Sequence, residues 1–368
     1  MSKITVTSLV KKYNSVVAVD NINLNIAEGE FLTLLGPSGC GKTTTLRCVA
    51  GLEHPEQGII NIGDKVVSSS DNKTFLPPDK RDLGMVFQSY AIWPNMTVFD
   101  NVAFGLSIRN APKQEIRDRV EKVLKQVRME EFASRYATEL SGGQQQRVAV
   151  ARALAFGPRA LLFDEPLSNL DAKLREDMRI ELVSIQKRIG ISSLYVTHDQ
   201  VEAMAISDRI AIMDKGKIVQ VGIPEEIYNK PVNTFVAQFI GTTNLVFGKA
   251  VTETISEDSM GTIQFKGEDE LVSIRCPFSE AIIKNGKVAL SFRPERIKVS
   301  PEKTDSENTF NAKVANKLFL GDCVDYYLHV GEYEFRVKAD TRLRLDIGKR
   351  VYLSIPPEDV VTLPPESE

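Results

Sequence analysis

The run Gly36-Pro37-Ser38-Gly39-Cys40-Gly41-Lys42-Thr43 constrains this chain more than any other segment. It fits G-x-x-x-x-G-K-S/T, a loop whose glycines let successive backbone N–H groups turn inward around phosphate oxygens. Such a loop needs a strand running in and a helix running out. Phe31 to Leu35 is an apolar run directly ahead of it, and Thr44 to Ala50 reads as a helix closing at Gly51. The positive end of that helix dipole would add to the anion site. Lys42 is placed to reach β- and γ-phosphates, and the Thr43 hydroxyl to ligate Mg²⁺. A glycine-rich turn with one exposed lysine is the plainer alternative, and the strand-loop-helix context argues against it. Cys40 reads either as a redox-sensitive thiol or, more simply, as a small residue at a variable position.

Leu161-Leu162-Phe163-Asp164-Glu165 places two carboxylates at the end of a buried-strand run. In open α/β sheets, ligands bind beyond the carboxyl ends of the strands. Asp164 suits the Mg²⁺ shell, and Glu165 a general base that polarises an attacking water. Alone, the pair also fits a strand-ending turn with two solvated acids. His198 follows another strand-like run, Leu194 to Thr197, and is expected to contact the γ-phosphate. His54 and His329 have no such setting.

Around these motifs the pattern alternates. Ile4 to Val10, Leu83 to Phe87, Ala160 to Phe163, Ser193 to Thr197 and Arg209 to Met213 read as strands. Lys173 to Ile189 and Gln200 to Ile206 read as helices. Lys113 to Val127 carries Ile116, Val120, Val123, Leu124 and Val127 at helical spacing. This alternation predicts a mostly parallel sheet under helical cover. From Gly241 onward, short runs such as Val288 to Phe292, Val324 to Val330 and Val351 to Ile355 alternate with turns. A separate β-rich domain over 241–368 follows, with a frayed tail from Pro364 to Glu368.

The 368 residues suggest at least two domains. The balance of 46 basic against 49 acidic residues leaves a net charge of −3, which disfavours nucleic acid as a partner. None of Cys40, Cys48, Cys276 and Cys323 forms a C-x-x-C pair, so zinc and thioredoxin-like sites are not expected, and reduced thiols are. Met1 to Ser15 lacks the apolar core of a signal peptide. No stretch approaches the roughly 18 uninterrupted apolar residues that span a bilayer. At a membrane, other subunits would have to hold this chain.

Leu140-Ser141-Gly142-Gly143-Gln144, followed by Gln145-Gln146-Arg147, resembles the signature motif of ATP-binding cassette (ABC) proteins. Tyr13 resembles the aromatic that stacks on adenine. Gln88, in Val86-Phe87-Gln88-Ser89-Tyr90, resembles the Q-loop glutamine of the catalytic and metal shell. Ser168-Asn169-Leu170-Asp171 resembles the D-loop, and His198 the switch histidine. The match spans residues 1–240 in order and spacing. It implies an α/β P-loop ABC ATPase domain with a helical subdomain at about 89–155. Nucleotide contacts would come from Tyr13, Gly36 through Thr44, Asp164, Asp171 and Ser141-Gly142-Gly143-Gln144. Thr43, Gln88 and Asp164 would serve the metal, and Glu165, His198 and Gln88 the catalysis. Ser141 also reads physically as the start of a second helix, another anion site. The family adds that this site faces the ATP of a partner, so that a homodimer closes around two nucleotides.

Phe292-Arg293-Pro294-Glu295 in the β-rich part resembles the oligonucleotide-binding-like (TOBE-type) tail of importer ATPases. The resemblance implies docking on transmembrane permease subunits at the cytoplasmic face of the membrane, fed by an external solute-binding protein. The segment from about Ser89 to Tyr136 would receive the permease. The tail would buttress the dimer or bind a regulator. Phe75 to Arg81, with Tyr90-Ala91-Ile92-Trp93-Pro94, looks closer to the ferric-iron and phosphonate group than to carbohydrate importers, although Asn95 departs from the histidine common to both; the cargo implied is ferric iron, phosphonate or polyamine ahead of carbohydrate. A non-transport ABC ATPase is the remote alternative. Repair types insert a long coiled coil where about a hundred residues stand here, and translation types carry two cassettes.

Overall fold

The computed structural model describes residues 2–251, 259–267, 271–278 and 287–365. It divides into two compact units, Met1–Pro224 and Glu225–Glu368.

In the first unit the strands are β1 (Ile4–Tyr13), β2 (Val16–Ile26), β3 (Phe31–Leu35), β4 (Gln57–Ile62), β5 (Lys65–Ser69), β6 (Thr74–Phe75), β7 (Leu83–Val86), β8 (Ala160–Asp164), β9 (Ser192–Thr197), β10 (Arg209–Asp214) and β11 (Lys217–Gly222). The helices are α1 (Lys42–Ala50), α2 (Val98–Ile108), α3 (Lys113–Gln126), α4 (Gly142–Leu154), α5 (Ala172–Ile189) and α6 (Gln200–Ile206).

One sheet runs β11-β10-β3-β9-β8-β7, parallel from β10 to β7, with β11 antiparallel at the edge. Its central strands are buried throughout, which explains their continuous apolar runs. Alternate residues go to opposite faces. Leu32, Leu34, Leu162, Leu194 and Val196 join Leu46 and Val49 of α1. Phe31, Phe163 and Tyr195 join Leu182 and Ile185 of α5, with ring centroids 5.6–6.0 Å apart. Gly51 closes α1 in the left-handed region at φ 82°, as expected of a C-cap.

A second sheet, β2-β1-β4-β5-β6, was not anticipated beyond its first strand. In β2 the cause is local. Asn21 adopts φ 51°, and the β1–β2 register slips beside it, between Leu9 and Lys11. The slip breaks the two-residue alternation that marks a strand. Between β7 and β8, the helices α2, α3 and α4 bury Val102, Leu106, Val120, Leu124, Val148 and Leu154 in a common core.

The second unit begins with α7 (Pro224–Asn229), whose first residue still belongs to the first unit, and α8 (Thr234–Phe239). The division therefore falls ahead of Gly241, where the composition changes. Its strands are β12 (Asn244–Ala250), β13 (Ser259–Lys266), β14 (Leu271–Phe278), β15 (Lys287–Phe292), β16 (Lys298–Ser300), β17 (Thr309–Phe319), β18 (Cys323–Val330), β19 (Tyr333–Asp340), β20 (Arg350–Ser354) and β21 (Val361–Leu363). They form two antiparallel sheets, β14-β13-β12-β15-β21 and β16-β20-β17-β18-β19. One core serves both, with Val246, Ile274 and Leu290 against Val314, Leu328 and Leu353. Arg293 fixes the helices to this unit. Its guanidinium is buried and donates to the carbonyls of Tyr228, Ala237, Ile240 and Thr242. The expectation for the tail concerns, in part, residues 366–368, which lie outside the described residues.

Candidate functional site

The phosphate loop leaves β3 at its carboxyl end. At Gly36 a Cβ would lie 2.2 Å from the Met213 carbonyl oxygen, so only glycine fits. Gly41 adopts φ 103°, and a Cβ there would come 2.4 Å from the Ala18 carbonyl oxygen. Ser38 and Gly39 are exposed at the tip, with half-buried Pro37 before them. Lys42 is buried, and its Nζ donates to the carbonyls of Gly36 (2.8 Å) and Pro37 (2.9 Å). Cys40 is buried beside it, and burial raises its thiol above the ordinary value despite the nearby ammonium. That environment suits the plain reading of Cys40 as a small packed residue. All four cysteines are buried and free.

Three neighbouring parallel strands, β3, β9 and β8, bring the rest of the site to the same edge. The Thr43 hydroxyl donates to Asp164 Oδ1 at 3.4 Å. Burial raises the Asp164 carboxyl above the usual range, opposed by Arg47 and reinforced by Glu165. Glu165 turns out of β8 with φ 47°, a left-handed conformation unusual for a residue with a side chain. Its N–H donates to Val196 O (3.0 Å) and its carbonyl accepts from Ser168 Oγ (2.9 Å), which holds the turn. Its Oε2 lies 2.9 Å from His198 Nδ1. The histidine is 57% exposed and the glutamate 21%, so solvent reaches the pair.

Beneath His198, β9 is pinned to α6. Buried Glu202 accepts hydrogen bonds from Tyr195 Oη (3.0 Å) and Thr197 Oγ1 (2.8 Å). Burial raises its carboxyl as well. Asp199 caps α6 by accepting from the N–H groups of Val201 and Glu202. Asp199-x-x-Glu202 is a legible helix start, but the contact of Glu202 with β9 carried no sequence signal, because it joins a strand to the helix after a turn.

Gln88 follows β7, the next strand of the sheet, and its carbonyl accepts from Asn169 Nδ2 at 2.9 Å. Two residues on, Tyr90 and Ala91 are both left-handed, and Arg152 of α4 donates to both carbonyls. Trp93, weighed above as a marker of cargo, packs 4.0 Å from Phe104 and under the same arginine. Asp171 caps α5 by accepting from the Leu174 N–H. Tyr13 ends β1 half exposed, with the Lys11 ammonium 5.0 Å from its ring centre. Burial raises its phenol, while a hydrogen bond with the Thr44 hydroxyl opposes the shift.

Ser141 starts α4 in a capping box. Its N–H donates to Gln144 Oε1 (2.9 Å) and its Oγ accepts from the Gln144 N–H (3.4 Å). Cβ atoms at Gly142 and Gly143 would crowd Leu170, Leu174 and Met178. These contacts lie within the helical part, α5 and the turn that precedes it, whereas Thr43, Asp164, Glu165 and His198 converge on the strand ends.

Oxygen donors dominate the candidate cation position. The Thr43 hydroxyl and a desolvated Asp164 carboxylate match the hard-oxygen preference of Mg²⁺, which takes few protein ligands and keeps waters and phosphate oxygens. No group of three or more His, Cys, Asp or Glu side chains suited to a metal occurs among the described residues. No helix among them is long and apolar enough to cross a membrane.

Residues 19–168 match the family described as ABC transporter, and residues 290–363 match the TOBE domain. The chain is 45% identical to the trehalose/maltose import ATP-binding protein MalK of Thermococcus litoralis, over 94% of this chain and 93% of that protein. It is 42% identical to the spermidine/putrescine import ATP-binding protein PotA of Thermotoga maritima, over 94% and 92%. Among solved structures it resembles cbiO1 of Clostridium perfringens, part of the ABC transporter complex cbiONQ. That match has TM-score 0.55 and 31% identity, over 61% of this chain and 89% of that one. It also resembles the dimeric bacterial ABC transporter cassette MJ0796 (TM-score 0.51, 34% identity, over 60% and 98%).

Proposed function

Because this chain belongs to the ATP-binding subunits of ABC importers, an ATPase family in which the cassette is followed by a TOBE domain, we propose that it binds ATP on Gly36 to Thr44 and hydrolyses it with Glu165 as general base. The observation that carries this reading is the Glu165–His198 contact at 2.9 Å, set on the strand ends beside the phosphate loop.

The roles follow from the groups. Lys42, now on two loop carbonyls, exchanges them for β- and γ-phosphate oxygens. Loop N–H groups and the start of α1 receive the remaining negative charge. Thr43 and Asp164 hold Mg²⁺, with Gln88 completing the shell; bound there, the ion neutralises phosphate charge. Glu165 takes the proton of the attacking water. His198 fixes the Glu165 carboxylate and contacts the γ-phosphate. Tyr13 stacks on the adenine, with Thr44 beside it.

Ser141, Gly142, Gly143 and Gln144 serve the nucleotide of a second copy, with Asp171 at the same junction. The dimeric cassette among the structural relatives supports this arrangement. The homodimer docks on transmembrane permease subunits at the cytoplasmic face, through the helical segment that begins after Gln88. An external solute-binding protein feeds the complex. The second unit buttresses the dimer.

The cargo is a small cationic solute of the polyamine type. Several relatives that match nearly end to end are spermidine/putrescine import proteins, including those of Thermotoga maritima and Clostridium novyi. A disaccharide is the second reading, supported by the Thermococcus relative. The test reconstitutes the chain with its permease and binding protein. Spermidine or putrescine should stimulate ATP hydrolysis, and stimulation by maltose or trehalose alone would overturn the polyamine reading.

A further inference from the structure

We propose that Arg81 is a positioning residue for the phosphate loop, a buried cation on the far end of α1 that strengthens the loop's preference for the triphosphate over the diphosphate. The inference rests on the reading that this loop holds ATP.

Arg81 is 1% exposed, the largest of the fully buried side chains among the described residues. Its Nη1 donates to the carbonyls of Cys48 (2.8 Å) and Val49 (2.9 Å), both in the last turn of α1. Its Nε donates to Leu76 O at 2.8 Å, and the guanidinium lies 5.0 Å from the Phe75 ring centre. Nη2 is buried without a hydrogen-bond partner. Among the described residues no carboxylate forms an ion pair with Arg81. Burial lowers its pKa to about 10, so it keeps its charge at neutral pH. The adjacent Cys48 thiol is pushed up to about 12 and stays neutral, so it does not offset that charge. The countercharge facing this guanidinium is the negative pole of a helix whose other end is the phosphate loop.

The physical consequence follows from the geometry of α1. Its nine residues span about 13 Å at 1.5 Å per residue. The path between its ends runs along buried Leu46 and Val49 rather than through water. A unit charge at the carbonyl end cancels the negative pole and leaves the amino end more positive. The attraction scales with ligand charge, so it favours ATP over ADP. Gly51 belongs to the same device: it is left-handed at φ 82°, and a Cβ there would sit 2.4 Å from Arg81 Nε. Of the stretch Phe75 to Arg81, weighed above as a clue to cargo, Phe75, Leu76 and Arg81 take part in these contacts.

The test uses the full chain and calorimetric titration with ATP and with ADP. Arg81→Gln keeps donors without charge. Arg81→Met is a second neutral variant, since an apolar replacement of a buried charge is often tolerated. Arg81→Lys keeps the charge. We expect ATP affinity to fall about three- to ten-fold in a neutral variant, with a smaller loss for ADP. Arg81→Lys should hold the ATP-to-ADP affinity ratio within about two-fold of wild type. A folded neutral variant with the wild-type ratio would overturn the role of Arg81. Wild-type protein that binds neither nucleotide would overturn the reading of the loop itself.

Discussion

His198 Nδ1 lies 2.9 Å from Glu165 Oε2, across the ends of two hydrogen-bonded parallel strands. The distance is short enough for one hydrogen bond, and both ends are held through β9. The glutamate turn is tied to Val196 and Ser168, and the histidine strand to Glu202. Glu165→Gln keeps the volume and an acceptor oxygen but removes the base. Hydrolysis should drop roughly a hundred- to ten-thousand-fold while ATP binding persists. A closed dimer should then be visible by size-exclusion chromatography in ATP. Turnover at the wild-type rate in this variant would exclude Glu165 as the base.

Asp164 yields a pH prediction. Its carboxyl is raised in the folded chain, chiefly by burial, so ionising it works against folding. Its favourable contribution is complete below the usual carboxylate range near about 4 and fades as pH rises through the folded value. Asp164→Asn should therefore melt above wild type at pH 7 without nucleotide. The gap should close as the pH falls towards about 4. The same variant should lose the extra stability that Mg²⁺ and ATP give the wild type. Parallel melting curves across that pH range would show that Asp164 is not destabilising.

Ser141 and Thr97 separate capping from catalysis. Each caps a helix of the same unit, α4 and α2, by accepting from the N–H three residues on. Alanine at either position should cost about 1 kcal/mol in denaturant titration. Only Ser141→Ala should also lower ATPase activity, because its loop serves a second nucleotide. Equal activity in the two variants would reduce Ser141 to a cap.

The shared site predicts a concentration dependence. Specific ATPase activity should rise with protein concentration and level off when dimers saturate. A flat profile across the monomer–dimer range would count against Ser141 and Gly143 acting on a partner's nucleotide.

Arg293 should matter for the second unit alone. Removing it leaves the buried carbonyls of Ala237 and Ile240 without their donor and unstacks the guanidinium from Tyr228, 4.1 Å from its ring centre. Arg293→Ala should cost about 3 kcal/mol in that unit. ATP affinity measured by titration should stay at the wild-type value.

The sequence made most of this site legible where function and local structure coincide. Gly36 to Thr43 is continuous in the chain, and Leu161 to Glu165 carries both the buried strand and its acids. Gln200 to Ile206 was read to the residue. What stayed hidden depends on contacts between distant segments. Arg81 sits 30 residues beyond Gly51 and reads like any surface arginine beside Lys80. Glu202 meets Tyr195 only once β9 and α6 fold back on each other. Strand β2 escaped because left-handed Asn21 interrupts its alternation.

Glu165 holds a backbone angle of φ 47° that most side chains avoid, at a cost of roughly 1 kcal/mol. Natural selection for turnover and for thermal robustness therefore pull in opposite directions at one codon. Lineages that keep the cassette only for nucleotide binding are released from the first pressure. Drift in such copies should replace this glutamate first, and towards Gly, Asn or Asp, the residues that tolerate the turn. Laboratory selections for heat resistance alone should find the same exchange early and return stable, silent proteins.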